Sequence, residues 1–367
     1  MKDVLELAIL NVGAKKPAIV YARCASDVAV AEVPAGAELQ ELIDFRERID
    51  RSIRKMEVRP SSSLLQDYGY KLFNFIIREE VERLYQSVAP DKLLRIHIFS
   101  NSPEVQAIPW EYLQDPAQGP GPSVDRLVVR IVSTIGVTEP KLREMPKNGK
   151  KKLKMLFASA DPVEEDPVSW LEVKKAIEKA FATAFPADSF VSEFIDASPE
   201  ELADKLQNNT YDIFHFCGHG DVDAETQEGR IILLNRKTNE RSPLRASVLK
   251  NLLKKRGVQL AVLSACNTAT VKSSDKFATT AQALVCAGIP AVIANQLPVP
   301  DESVATFVEQ MYKTLIATGD IDLAVCEGRV RLETALSLPA QQATLEWGIP
   351  VLYRHIAAAH ILEMPKD

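Results

Sequence analysis

From Met155 to Ala317 short apolar runs alternate with amphipathic stretches, and nothing else in the chain limits its fold as tightly. Met155–Ala160, Phe190–Ile195, Tyr211–Phe216, Val258–Ser264 and Ala291–Asn295 read as buried β-strands, each an apolar run bounded by turn or small residues. Helix signals lie between them. Asp166-Pro167 opens a stretch whose Trp170, Val173, Ile177 and Phe181 share one face. Ser198-Pro199-Glu200-Glu201 is a capping box with proline at the first helical position. Ser242-Pro243 reads as a cap before Leu244, Val248, Leu249 and Leu252, and Gly257 stops that helix. Arg230–Leu234 reads as one arm of an excursion, and helices over Thr279–Ala287 and Asp301–Ala317 complete the order. Strand–helix–strand repetition requires right-handed crossovers, hence a mostly parallel sheet with helices on both faces. The expected class is α/β, doubly wound.

The pattern breaks between Val137 and Lys152, where Pro140, Pro146 and Gly149 stand among lysines and Arg143. That is linker chemistry. The expected domains are a smaller N-terminal α/β region over 1–136, a linker over 137–152 and a larger domain over 153–367. Within the first, Leu5–Val12, Ala18–Tyr21, Leu93–Phe99 and Arg126–Ser133 read as strands. Glu38–Met56 and Ser63–Tyr85 read as helices, and Gly119-Pro120-Gly121-Pro122 as an exposed loop.

Composition excludes several classes of function. A chain of 367 residues, 46% hydrophobic and 26% charged, buries a large core without staples. Its net charge of −6 offers no broad basic field for nucleic acid. Five cysteines, an odd number without framework spacing, point to a reducing compartment. No apolar run approaches the roughly twenty residues that span a bilayer. Met1-Lys2-Asp3-Val4 lacks the layout of a signal peptide. A cytoplasmic protein is the expectation.

The chemistry concentrates where two of the strands end. His215-Phe216-Cys217-Gly218-His219-Gly220 closes one, and Leu263-Ser264-Ala265-Cys266-Asn267 closes another. Open α/β sheets place their sites at the carboxyl ends of strands, and a Cys–His pair there is the minimum apparatus for nucleophilic acyl transfer. Cys266 is the candidate nucleophile, ahead of a loop containing Thr268, Thr270, Ser273 and Ser274. Cys24, Cys286 and Cys326 read as small buried hydrophobes. Two histidines compete for the base. His215 lies within its strand between Phe214 and Phe216; His219 lies beyond Gly218, in what reads as a turn leaning over the Cys266 loop. Gly218 and Gly220 would let backbone approach a substrate and adopt positive φ. A zinc reading draws on the alternation of His215, Cys217 and His219, with Cys266 as a fourth ligand. Against it, Gly218 reads as the end of the strand, which breaks the alternation, and there is no C-x-x-C pair. No phosphate-binding glycine motif is present.

The Gly218-His219-Gly220 and Ser264-Ala265-Cys266 boxes resemble those of the CHAT family of caspase-like cysteine peptidases, related to caspases, separases, gingipains and clostripain. Pro109-Trp110-Glu111-Tyr112-Leu113, Ala287–Ile293 followed by Val299-Pro300-Asp301, and Trp347-Gly348-Ile349-Pro350-Val351 resemble further boxes of that family, in the same order. The matches begin near Leu93 and end near Tyr353. The resemblance implies a caspase-like sheet, and it leaves open that residues 1–136 are a degenerate partner unit. It implies His219 as base, with His215 structural, and it implies an oxyanion hole from the backbone N–H groups of Gly220 and Cys266. The family's pattern requires no third acidic residue.

Specificity is less defined. In separases the aspartate of the V-x-D stretch binds a substrate arginine, and Asp301 matches that position. Asp161, ending the Met155–Ala160 strand, would line the same pocket. Asp301 also reads as the cap of its helix. Leu297 stands where the family commonly has tryptophan, which leaves cleavage after an apolar residue open. The acidic stretch Asp221–Gly229 reads as a solvated loop, or as an activation loop ordered by a partner. The expected function is a regulated cysteine endopeptidase without cofactor or metal, cutting one or a few protein substrates under a protein activator or sensor. The resemblance places such proteins in prokaryotic defence or cell death, with a gasdermin-like pore former as a substrate. The alternative is a catalytically silent interaction module on the same fold.

Overall fold

The computed structural model describes residues 3–10, 18–33, 36–53, 60–88, 93–100, 102–132, 143–144, 152–184, 190–226, 228–254, 256–265, 276–297, 299–335 and 344–363. The chain forms two compact units, each assembled from separate stretches of sequence. The first comprises Met1–Ile131 and Arg329–Ile349; the second comprises Val132–Gly328 and Pro350–Asp367. Apart from Arg143, Glu144 and Lys152, the expected linker lies outside the described residues. No helix among the described residues is long and apolar enough to cross a membrane.

The first unit contains β1 (Asp3–Leu10), β2 (Ala18–Cys24), β3 (Asp27–Val33), α1 (Ala37–Ile53), α2 (Ser62–Ile76), α3 (Glu79–Gln86), β4 (Leu94–Ser100), α4 (Pro103–Ala107) and β5 (Arg126–Ile131). Its strands run in the order β5-β4-β1-β2-β3. β1, β4 and β5 are parallel, whereas β2 and β3 form antiparallel ribbons with their neighbours. β3 was not expected from the sequence. It is legible as alternation all the same, because Ala29, Ala31 and Val33 are buried while Val28 and Val30 face solvent. The helix expected over Ser63–Tyr85 is two helices. Ser61 caps the first by accepting from Leu64 N at 3.2 Å. Phe73, Phe75, Ile76 and Ile77 are all buried, which exceeds what one face of a continuous helix covers; the chain extends at Ile77 and Arg78 before α3 begins.

Two of the sequence boxes meet inside this unit. The turn Trp110–Tyr112 packs on the turn Glu346–Gly348: the Tyr112 ring lies edge-on to Trp347, with centroids 4.9 Å apart, and its hydroxyl donates to Leu345 O. Gly348 has no alternative here, since a Cβ would enter the Tyr112 ring. Glu111, between them, receives Arg130 at both carboxylate oxygens, 2.9 and 2.6 Å away, with both side chains buried. Burial works to raise the Glu111 carboxyl, but Arg130 outweighs it and holds the group below the usual carboxylate range.

The second unit contains β6 (Arg143–Glu144), β7 (Leu153–Ser159), α5 (Trp170–Ala184), β8 (Phe190–Asp196), α6 (Pro199–Asn208), β9 (Ile213–Val222), β10 (Gly229–Leu234), β11 (Arg241–Arg245), α7 (Ala246–Leu253), β12 (Leu260–Ala265), α8 (Lys276–Cys286), β13 (Ala291–Asn295), α9 (Asp301–Thr318), β14 (Pro350–Arg354) and β15 (Leu362–Glu363). Helix α10 (Ile321–Ala335) begins here and contributes its second half to the first unit. The main strands run β8-β7-β9-β12-β13-β14, parallel except for β14. One face buries Phe214, Phe216, Ala261, Leu263 and Val292 under Leu202 and Leu206 of α6, Leu249 and Leu253 of α7, and Leu284 of α8. On the other, Tyr312 of α9 meets His215 and Phe181 of α5. Helices on both faces of a mostly parallel sheet make the fold doubly wound α/β.

Local readings hold or shift for identifiable reasons. Ser198 accepts from Glu201 N at 3.2 Å, as the capping box requires. Ser242-Pro243 caps nothing: both residues lie in β11, whose partner β10 places Ile232 opposite Pro243. An edge strand tolerates the missing proline N–H, and α7 starts three residues later without a side-chain cap. Cys286 is exposed, not buried, whereas Cys24 and Cys326 are buried as expected. Replacing Glu111 with alanine strands Arg130 as a buried lone charge. The expected loss is about 3–5 kcal/mol, read from the midpoint of urea unfolding. Glu111→Gln, which keeps the hydrogen-bond geometry, should lose less.

Candidate active site

Strand order reverses between β7 and β9, because β8 lies on the far side of β7 while β12 and β13 continue beyond β9. Such a switch point opens a crevice at the carboxyl ends of the strands. The loop after β7, Ala160–Ser169, and the outer half of β9 meet there. Ala160 N donates to Cys217 O at 3.1 Å. β9 does not stop at Phe216 as the sequence suggested. It continues to Val222 by exchanging partners: Ile213–Gly218 pairs in parallel with β12, while His219–Val222 pairs antiparallel with β10. Gly218 and Gly220 are therefore strand residues, and neither has positive φ. Gly218 is needed for room. A Cβ would stand 2.9 Å from the Ala160 carbonyl oxygen and 2.7 Å from the Phe216 ring.

His219 is fully buried and sits opposite Ile232 of β10, so it belongs to a strand and not to a free turn. Its Nε2 lies 2.9 Å from the carbonyl oxygen of Asp166. A carbonyl only accepts, so the contact assigns the ring proton to Nε2 and leaves the lone pair of the neutral ring on Nδ1. Glu165 Oε2 stands 3.8 Å from that Nδ1. Ala265, which precedes Cys266 in sequence, is in register with Gly218, which precedes His219. Cys266 itself lies outside the described residues, as does the loop after it.

His215, four residues earlier on the same strand, has a different role. Tyr312 Oη is 3.0 Å from its Nδ1 and Ser264 Oγ is 3.2 Å from its Nε2, so both ring nitrogens are engaged. Burial pushes its pKa down to about 3, keeping the ring neutral. This is a satisfied core histidine. With both nitrogens committed it is a poor zinc ligand, and among the described residues no three His, Cys, Asp or Glu side chains gather as a metal site.

The remaining candidates separate. Asp161 accepts from Val168 N at 3.2 Å and so closes the loop that carries Glu165 and Asp166. Asp301 is the first residue of α9, with Pro300 in the capping position, so it does not cap its helix; its side chain lies outside the described residues. Gly220 is in register with Ile231, and Leu297 is buried. The acidic stretch after Gly220 is fastened and not merely solvated. Arg230 grips Asp221 at 2.7 and 2.9 Å and Asp223 at 2.7 Å, and Asp223 accepts from the backbone of Glu225 and Thr226. Arg241 joins Asp221 to Glu165 at 2.6 and 2.8 Å. Neither Glu165 nor Arg241 was singled out from the sequence, since isolated charges in loops carry no spacing signal.

The CHAT domain profile matches residues 66–355 of this chain. Among solved structures, separase of Saccharomyces cerevisiae, from its complex with securin, superposes with a TM-score of 0.51 at 11% identity. The match covers 96% of this chain and 30% of that one, so the chain spans less than a third of separase. The RgpB pro- and mature-domain complex of Porphyromonas gingivalis gives 0.45 at 11% identity, covering 89% and 78% of the two chains. Caspase-1 of Spodoptera frugiperda gives 0.37 at 13% identity, covering 62% and 94%. The separase match shows a shared fold. No curated protein matches in sequence.

Two measurements test this geometry. Between the ordinary value of 6.5 and about 3, only the unfolded chain protonates His215, so stability falls as pH drops below about 6.5. His215→Asn should reduce the stability lost between about pH 7 and pH 5 by roughly 2 kcal/mol, measured by urea unfolding at each pH. Gly218→Ala should cost about 1–3 kcal/mol by forcing Ala160 away. Unchanged melting would remove the close approach from the account.

Proposed function

Because the chain belongs to the CHAT-domain family of caspase-like cysteine peptidases, we propose that it is a regulated cysteine endopeptidase with Cys266 as nucleophile and His219 as base. The observation that supports this most is the register: Ala265 stands beside Gly218, so the residues preceding sulfur and imidazole are neighbours across β12 and β9. Ser264, two residues before Cys266, reaches His215 Nε2 at 3.2 Å across the same pair of strands. The chemistry then follows. His219 Nδ1 accepts the thiol proton, and the thiolate attacks a peptide carbonyl carbon. The carbonyl oxygen becomes an oxyanion held by the N–H groups of Gly220 and Cys266. Nδ1 returns the proton to the departing amine as the C–N bond breaks, and water hydrolyses the remaining thioester.

The substrate under this proposal is a protein, with Asp301 the residue that selects Arg or Lys before the cut and Asp161 shaping the loop beside it. Residues 1–136 would serve as a degenerate caspase-like partner to the catalytic region. The setting is cytoplasmic, in prokaryotic defence or cell death, with a gasdermin-like substrate and a protein activator or sensor. One observation favours the second reading, a silent interaction module. His219 is fully buried, which a latent or inactive protein shares. An activator would then have to open the loop over it.

Peptide-library cleavage with the candidate activator present separates the two readings. Cys266→Ala should abolish cutting, and His219→Ala should slow it by about 10²–10⁴. Cleavage that survives Cys266→Ala would remove the peptidase assignment. Asp301→Ala should erase preference for Arg or Lys at the cut; an unchanged profile would take Asp301 out of the pocket.

A further inference from the structure

The loop after β7 carries a carboxylate whose two oxygens are used differently. Glu165 Oε1 receives Arg241 Nε at 2.8 Å, and Oε2 faces His219 Nδ1 at 3.8 Å. Arg241 is itself fixed, because its Nη2 lies 2.6 Å from Asp221 Oδ2 and its backbone N donates to Glu164 at 2.7 Å. Asp221 is held in turn by two nitrogens of Arg230, at 2.7 and 2.9 Å. A chain of alternating charge, Arg230–Asp221–Arg241–Glu165, thus ends at the imidazole. Backbone contacts pin the same loop: Val163 N donates to Asn239 O at 3.2 Å, Glu165 N to Pro162 O at 3.0 Å, and His219 Nε2 reaches Asp166 O at 2.9 Å.

Several features make this more than a surface ion pair. The Glu165 and Asp221 side chains are only 17% and 13% exposed, and His219 is buried, so solvent screens the arrangement weakly. Within the cluster two guanidiniums, Arg230 and Arg241, pair with three carboxylates, Glu165, Asp221 and Asp223, and the Arg241 backbone N–H engages a fourth, Glu164. A distance of 3.8 Å is too long for a strong hydrogen bond, which makes the interaction with the ring electrostatic. Arg241 keeps the carboxylate from rotating away.

We propose that Glu165, oriented by Arg241, is a positioning residue that acts through His219: it stabilises the imidazolium formed when the Cys266 proton moves to Nδ1. The inference rests on the Cys266–His219 reading above and adds to it an acidic partner that the family's pattern does not require. Proton transfer within the pair is unchanged in its balance. Glu165 takes no proton; it makes the charge-separated form more populated.

The test uses the full chain and iodoacetamide, which alkylates the thiolate, with the rate at neutral pH read by mass spectrometry on the peptide containing Cys266. His219→Ala should slow alkylation strongly. Glu165→Gln should slow it about tenfold, the smallest effect expected of an opposite charge at this distance. Glu165→Asp should recover most of that loss, with melting temperature unchanged in both variants. Should Glu165→Gln fold poorly, Arg241→Met carries the test and must also react more slowly than the parent. Glu165→Gln at the parent rate beside a slow His219→Ala would overturn the role of Glu165 and leave the pair standing. Equal slowing in Glu165→Gln and Glu165→Asp would equally refute a charge effect. His219→Ala at the parent rate would sink the pair and this inference with it.

Discussion

Ala160 donates its N–H to the carbonyl of Cys217, and its own carbonyl oxygen lies where a side chain on residue 218 would have to go. Through this backbone contact the loop after β7 is laid directly on β9. The position of Glu165, of the Asp166 carbonyl and of the Arg241 attachment all follow from it. Glycine at 218 thus does a different job from the one its neighbourhood suggests. It supplies no unusual dihedral; it removes a side chain so that two chain segments can touch.

The same strand shows how environment divides one residue type into two roles. His215 and His219 stand four residues apart on an alternating strand. His215 meets a phenol and a hydroxyl in an apolar interior, which keeps its ring neutral and inert. His219 meets a backbone carbonyl on one nitrogen and a carboxylate near the other. The partners supplied by β12 and α9 in one case, and by the β7 loop in the other, set the two rings apart.

Much of this was legible in the residues. Alternation of apolar runs with helix signals sufficed for the class of fold, and Ala291–Asn295 forms a strand with the limits expected of it. The Ser198 cap was readable because capping depends on neighbours a few residues away. What escaped depends on partners distant in sequence. β9 outruns its apolar segment because β10 returns to hydrogen-bond residues as polar as His219 and Asp221. Pro243 passes for a helix start until the ladder to Ile232 is known. The break at Ile77 has no glycine or proline to announce it. The contact of Glu165 with Arg241 joins residues 76 positions apart in sequence, and no local pattern encodes it (241 − 165 = 76).

The interrupted composition of the first unit has a consequence for biosynthesis. Tyr112 waits for Leu345 and Trp347, 233 residues further along in the case of Leu345, before its ring and hydroxyl are covered. Domains commonly fold in the order they leave the ribosome. Here the amino-terminal unit cannot be finished first. It must persist incomplete while some two hundred further residues are translated, a delay during which its open apolar surface depends on chaperones or on its own partial structure for protection.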